Sequence, residues 1–321
     1  MLRPYEQRFP WALDWNLLRT FMVVVDEGGI TRAANFLGVK QPTVSSALKR
    51  LEETVGQRLL DRGPHSFALT EAGRVLHGEC AGMFGTVAHI PDLLSETRDR
   101  ISGHIALVMT SHVMSPHFDD LLGRFNEASP EVTYSIAISE SDDVLVRLRE
   151  GRASLGVCLM RAPDPALRAQ VLFREYFALY CGPGHRLFGR REIELAELAG
   201  ESSVSFQTDA EAGPLSGVTR LREAAALKSD LKGISANLPE VRRMIVAGLG
   251  IGALPVHVAQ RDVDLGNLWP LPPYEALPAV DVHVLTNPAR RMNAAEAALA
   301  AAVDALIAEV PLDARTYAAA G

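Results

Sequence analysis

The chain has 321 residues, is 48% hydrophobic and 22% charged, and carries a net charge of −7. That length and composition suit two or three domains with sizeable cores and exclude a disordered chain. No apolar run approaches the ~20 residues of a membrane span, and the opening MLRPYEQRFPWALD lacks the apolar core of a secretion signal. Three widely spaced cysteines, Cys80, Cys158 and Cys181, fit a reducing cytoplasm better than a disulfide framework. The acidic balance argues against a nucleic-acid partner until its distribution is counted. Residues 1–70 hold nine Lys or Arg and seven Asp or Glu, so the head is weakly basic and the acidity lies in the body. DNA contacts from such a head would rest on a few local cations.

Residues 1–14 read as irregular, with Pro4 and Pro10 opposing a helix. Asp14 is expected to cap a helix over 15–27 whose apolar stripe is Leu17, Leu18, Phe21, Val24 and Val25, and Gly28-Gly29 ends it. In the next stretch, ITRAANFLGVKQPTVSSALKRL, Thr31 is expected to cap a short helix that has Ala33, Ala34 and Leu37 on one face and Gly38 at its end. Pro42 then opens a second helix, buried along Val44, Leu48, Leu51 and Val55. Its opposite face shows Gln41, Pro42, Ser45, Ser46 and Lys49, short hydrogen-bonding side chains and one cation that can approach base edges and phosphates. Two such helices make a helix-turn-helix. Gly63-Pro64, between Leu59-Leu60 and the alternating Phe67 and Leu69, marks a short β-hairpin wing. Thr70 caps a longer helix, roughly 71–98, with Leu76, Cys80, Met83, Val87, Ile90 and Leu94 at heptad spacing, the pattern of helices that pair. A helix packed on its own domain gives the same spacing. Pro91 should kink or end this helix near Ile90.

From residue 103 the periodicity changes. Strands over 105–110, 132–139 and 155–159 alternate with helices over 117–128 and from Ser141 or Asp142 to Gly151, which implies a parallel sheet. Residues 161–165 read as a crossing into a second unit. That unit has strands at 177–181, 203–206 and 232–236, helices at 218–227 and 238–247, and a turn at 182–185. Residues 268–273 read as the return, followed by a strand at 280–285 and an Ala-rich helix at 294–307. Two α/β lobes joined by two crossings enclose a cleft for a small ligand. Ser111 and His112 after the first strand, Ser139 at the matching end of the second, and Phe206 and Gln207 from the other lobe are its candidate residues. Helix N-termini nearby favour an anion such as a carboxylate. The run Gly248–Gly252 follows a helix rather than a strand, so it lacks the setting of a nucleotide-binding loop. His112 and His117 make a weak metal pair, Cys158 and Cys181 read as small core residues, and no catalytic motif or cofactor is expected.

In this order and spacing, Ala33-Ala34-Asn35-Phe36-Leu37, Gln41-Pro42-Thr43-Val44-Ser45, Leu51-Glu52, Gly56, Leu59-Leu60-Asp61-Arg62 and Leu69-Thr70-Glu71-Ala72-Gly73 resemble a LysR-type transcriptional regulator. The body resembles it more loosely, at Phe125, Pro130, Gly151, His185 and the run from Val246 to Pro255. The resemblance covers nearly the whole chain after the first dozen residues. It implies a multidomain α/β fold. A winged helix-turn-helix DNA-binding domain would span 1–72 and a linker or dimerisation helix 73–101. A two-lobed, periplasmic-binding-protein-like effector domain would span 102–321, with lobe one at 102–161 and 268–321 and lobe two at 162–267. It also implies a cytoplasmic homo-oligomer, dimer or tetramer, that binds double-stranded DNA at an imperfect palindrome under the control of a small-molecule effector. RNA polymerase is a further candidate partner, and no membrane is involved. At the major groove Gln41, Pro42 and Ser45 match the family's positions, with Thr43 and Ser46 beside them. Lys49 and Arg50 would reach phosphate, and Thr31, Arg32 and Arg62 would anchor the backbone. Thr110 or Ser111, Ser139 and Phe206 occupy the places that often line the effector pocket. The chain departs from the family at Gly29 (usually Ser), Leu60 (commonly Phe), Ser154 (often Asp) and Pro91. An enzyme or solute-binding protein carrying an accessory helix-turn-helix head is the alternative reading.

Overall fold

The computed structural model describes residues 13–63, 66–88, 101–207 and 213–317. It divides into two units, one of residues 1–89 with 150–152 and one of the remainder. In the first unit Asp14 accepts a hydrogen bond from the Asn16 backbone at 3.0 Å and starts α1 (Trp15–Asp26). The helices α2 (Ile30–Leu37) and α3 (Gln41–Val55) follow. Leu18, Phe21, Ala33, Val44, Leu48 and Leu51 close over one small core. Gly38 ends α2 in the left-handed region, φ 66°, with its N–H on Ala34, as its lack of a Cβ allows. Thr31 does not cap α2. The helix begins two residues earlier than a Thr31 cap implies, with Gly29 at the cap position, because the Gly29 carbonyl already accepts from Ala33.

The wing is β1 (Leu60–Gly63) paired antiparallel with β2 (Ser66–Leu69). The Glu52 carboxylate accepts from the Leu59 and Leu60 backbone N–H groups at 3.0 and 3.4 Å, which ties α3 to the wing. Thr70 then starts α4 (Glu71–Ala88) by accepting from Gly73 N–H at 3.0 Å. Gly73 cannot be replaced there: a Cβ would lie 2.0 Å from the Leu59 carbonyl oxygen. The heptad seam divides. Leu76, Cys80 and Met83 pack on the core of their own unit, with the His77 ring 6.5 Å from Phe21, so this half is an ordinary amphipathic face. Val87 is exposed. Ile90, Pro91 and Leu94 lie outside the described residues.

In the second unit β3 (Ser102–Met109) lies between β4 (Glu131–Ile138) and β5 (Leu155–Leu159), parallel to both. The helices α5 (Pro116–Ala128) and α6 (Ser141–Arg149) make the crossovers. The expected parallel sheet is mixed. The strand β6 (Arg168–Cys181) is antiparallel to β11 (Ala279–Thr286), which pairs in turn with β5. The second half of β6 pairs with β9 (Gly252–Pro255) and β10 (Trp269–Leu271). A separate parallel pair, β7 (Ser203–Phe206) and β8 (Leu231–Ser235), follows with α7 (Ser216–Ala224) between its strands in sequence; α8 (Leu238–Val246) packs on this pair, and α9 (Val256–Asp264) packs on β6 and β9. The first lobe is thus β3, β4, β5, β11 and the start of β6, closed by α10 (Ala294–Glu309). After α10 come a 3-10 turn, Leu312–Arg315, and β12 (Thr316–Tyr317), which lies parallel on β6. Among the described residues no helix is long and apolar enough to cross a membrane.

The strand expected at 177–181 therefore begins nine residues earlier, at Arg168. Charged residues conceal its first half. Arg174 is held by Asp281 of β11 at 2.6 and 3.0 Å, and Glu175 is fully buried with neither carboxyl oxygen partnered. Burial raises the Glu175 carboxyl well above the usual carboxylate range.

Ser154 has a defined task. Its hydroxyl donates to the fully buried Glu296 at 2.5 Å and accepts from Ala106 N–H at 2.9 Å. Arg290 grips Glu296 at 2.8 and 3.0 Å, and Asn293 and Glu296 form a capping box that starts α10. Burial pushes the Glu296 carboxyl up, but Arg290, Ser154 and the Asn293 backbone together hold it below the ordinary range. Replacing Glu296 with Gln leaves the Arg290 charge, its side chain only 11% exposed, without its counter-ion. The second unit should lose about 3–5 kcal/mol of stability, read as a lower denaturant midpoint at unchanged m-value.

Candidate functional site

On α3 the residues split cleanly. Val44, Leu48 and Leu51 are at most 1% exposed. Gln41, Pro42, Thr43, Ser46, Lys49 and Arg50 are exposed and Ser45 is half-buried on the flank. Core packing on one side therefore fixes the rotation of the helix and turns this polar row outward. The cap residue Lys40 makes no side-chain cap, and in the first turn of α3 Pro42 has no N–H and the Thr43 N–H lies on the Lys40 carbonyl at 2.9 Å, so anion contacts there fall to side chains. Thr31 and Arg32 are exposed in the first turn of α2, and the Arg32 guanidinium donates to the Gly28 carbonyl at 2.8 Å. The cations are moderated by acids. Lys49 lies 3.8 Å from Glu53 and Arg50 lies 3.5 Å from Asp14. Glu53, one turn beyond Lys49 on the same face, was legible by its spacing but is not among the expected contacts. The side chain of Arg62 lies outside the described residues.

In the second unit, four of the six expected cleft residues converge at the C-terminal end of β3. Thr110 and His112 are buried, with Thr110 Oγ1 3.4 Å from His112 Nε2. The His112 ring stands edge-on to Phe206 at 6.4 Å, and Phe206 to Phe177 at 6.3 Å. Ser111 spans the two lobes: its hydroxyl accepts from the Leu238 N–H at 2.9 Å and donates to the Ala236 carbonyl at 3.3 Å. It thus caps α8 from another part of the chain, in a place where Asn237 offers no side-chain cap. Ser139 sits at the adjoining strand end, its N–H on the Met109 carbonyl at 3.0 Å. Gln207 is exposed, its N–H on the Ser235 carbonyl at 3.0 Å. No hydrogen bond joins the side chains of these two to the other four among the described residues.

Sequence reading missed His257. It opens α9, a helix concealed behind the glycine run and Pro255, and its Nε2 donates to the Met114 carbonyl at 2.9 Å. The glycines of that run serve packing: a Cβ on Gly250 would lie 2.5 Å from the Ser202 carbonyl oxygen. Burial, aided by the charge of a protonated His257, pushes the His112 imidazole down to about 4, so it is neutral at pH 7. Burial pushes the Cys80 thiol up to about 11 and those of Cys158 and Cys181 up to about 12, with Glu79, Asp142 and Glu201 adding smaller repulsions. All three are inert core residues. Among the described residues no group of three His, Cys, Asp or Glu could hold a metal ion.

Residues 15–74 match the family described as bacterial regulatory helix-turn-helix protein, lysR family. Residues 98–307 match the LysR substrate binding domain. The chain is 29% identical over 291 residues to the HTH-type transcriptional activator BauR of Pseudomonas aeruginosa, covering 87% of this chain and 91% of that one. It is 27% identical over 260 residues to the SDS degradation transcriptional activation protein of a Pseudomonas species, covering 79% and 83%. The crystal structure of CbnR, a LysR family transcriptional regulator, superposes with a TM-score of 0.67 at 16% identity, covering 92% and 99%.

The buried imidazole makes a pH prediction. An unfolded His112 takes up a proton near pH 6.5, the folded one near 4. As pH falls through that interval the unfolded state binds more protons, and the stability His112 confers is lost. Comparing the chain with His112→Asn by denaturant unfolding isolates this contribution. The stability difference between the two should shrink by about 2–3 kcal/mol between pH 7 and pH 4.5.

Proposed function

The chain belongs to the LysR family of transcriptional regulators, and from that premise we propose that it reads an operator through α3 and senses a small acid between the lobes of its second unit. The observation that carries the first half is the polar row on α3, held outward by Val44, Leu48 and Leu51. Gln41 is the residue to pair two-pronged with an adenine edge, Pro42 to meet a thymine methyl, and Ser45, with Thr43 and Ser46, to complete the base contacts. Lys49, Arg50, Thr31, Arg32 and Arg62 would hold phosphate and set the register. With Glu53 and Asp14 beside two of these cations, one head binds weakly. Affinity then comes from two or more copies on a palindromic site. RNA polymerase is the partner expected of a regulator so placed, and the cytoplasm is the compartment where the DNA is met.

The family matches support a DNA-binding domain over 1–72, a linker over 73–101 and an effector domain over 102–321. Within the last, Thr110, Ser111, His112, Ser139, Phe206 and Gln207 would receive the effector. Hydroxyls, a neutral imidazole and the N-terminus of α8 suit a small carboxylate held by dipoles rather than by a cation. With all three thiols buried and un-ionised, the signal is a bound molecule rather than thiol oxidation. An effector that prefers one arrangement of the lobes shifts the population towards it and changes the spacing of the DNA-binding heads. Both matched families are regulatory, and the alternative of an enzyme with an accessory head falls away.

Footprinting on the DNA upstream of the chain's own gene, with and without a panel of small carboxylates, tests both halves; no protection under any condition refutes the DNA assignment. On the protected site, Gln41→Ala should weaken binding by about 1–3 kcal/mol while leaving binding to random DNA nearly unchanged, measured by fluorescence anisotropy at fixed salt. Equal losses on both DNAs would assign Gln41 to the backbone instead.

A further inference from the structure

The loop between β3 and α5, residues 110–115, is the meeting point of the two lobes. At its start Ser111 holds the Leu238 N–H of α8. In its middle the Met114 carbonyl receives His257 of α9. At its end Ser115, which caps α5, lies 2.7 Å from the phenolic oxygen of Tyr317, and that oxygen is also 2.9 Å from Nδ1 of His117. The Tyr317 ring lies 4.9 Å from His257 and 5.2 Å from Phe173. One side chain near the end of the chain therefore touches the first lobe through Ser115 and His117 and the second lobe through His257.

The segment that carries Tyr317 is not a frayed end. Terminal residues are ordered only where something ties them down. Here Arg315, 3% exposed, spends its guanidinium on backbone carbonyls of the crossing strand, Val171 at 2.9 Å and Leu172, and on Val310 at 2.9 Å. Thr316 and Tyr317 then pair with Arg174 and Glu175 of β6. A buried guanidinium on carbonyls of β6 anchors the segment at the one strand both lobes share.

We propose that residues 312–317 form a strap that sets the pose of the 110–115 loop, and through it the closure of the two lobes, with Tyr317 as the positioning residue. The effector site lies at one end of this loop and Tyr317 at the other. A ligand that draws Ser111 away from Leu238 must move a loop that Tyr317 holds at Ser115. The strap thus sets how readily the lobes open, and it does so before any effector binds. It can be tested without an effector, so its failure would leave the DNA and effector assignments standing.

The test uses the full-length chain. Because the native cysteines are buried, spin labels can be directed to Arg124→Cys on α5 and Arg243→Cys on α8, one in each lobe. Dilution with unlabelled chain removes distances between subunits. Tyr317→Ala should broaden and lengthen the measured distance distribution. Tyr317→Phe, which keeps the ring on His257 and loses the hydroxyl, should do so less. In both variants the Leu238 amide should exchange with solvent about tenfold faster, while the amides of the α5 interior keep their rates. If Tyr317→Ala fails to fold, Tyr317→Phe carries the same measurements. Unchanged distances and unchanged Leu238 exchange overturn the proposal. So does exchange that rises evenly across the whole unit, which would mark Tyr317 as a general stabiliser and not a strap.

Discussion

The second unit depends on one continuous hydrogen-bonded strand. Thirteen of the fourteen residues of β6 pair with a neighbouring strand, and at Leu172, passed over by a bulge, the carbonyl takes Arg315, because a buried backbone group without a partner costs about as much as a lost hydrogen bond. β11 serves the first half of β6, and β9 and β10 serve the second. The two lobes consequently share a strand rather than a flexible tether. Their freedom is bending about β6, and what limits that bending is whatever spans the gap beside it. Ser111 on α8, the Met114 carbonyl on His257 and Tyr317 on both lobes are those spans.

This arrangement explains which parts of the chain could be read in advance. The head was legible nearly to the residue because its signals are local. Asp14 and Thr70 cap, Gly38 and Gly56 take left-handed conformations, and Val44, Leu48 and Leu51 repeat at helical spacing. Only the start of α2 moved, since Gly29 and Thr31 both offer a helix start and the backbone chose Gly29. β6 was half hidden because its run includes Arg174 and Glu175, one paired across to Asp281 and the other buried with neither carboxyl oxygen partnered. β9 and α9 were hidden by glycines placed for close packing and by a proline at the helix start. β12 is two residues long and owes its place to Arg315, a non-local contact that no periodicity reports.

The site divides the same way. The polar row of α3 is the complement of its buried stripe, so finding one finds the other. The cleft residues were placed correctly at strand ends, and Thr110, Ser111, His112 and Phe206 do converge. Their partners could not be read, because the cap that Ser111 gives α8 and the bond that Met114 gives His257 join segments more than a hundred residues apart. The heptad seam is the instructive ambiguity. Leu76, Cys80 and Met83 repeat as pairing helices do, yet they cover the core of their own unit. Spacing tells which face is apolar and not what lies against it.

Glu175 and His112 have a joint consequence. Burial pushes the carboxyl of one up and the imidazole of the other down, so in each it disfavours the charged form. In weak acid, unfolding releases a proton from the first and captures one at the second. The two exchanges run in opposite directions, so the proton released at one position works against the proton captured at the other. The interior behaves as its own counterweight to acidity. The bias that acid exerts against the fold through His112 is thereby opposed at Glu175.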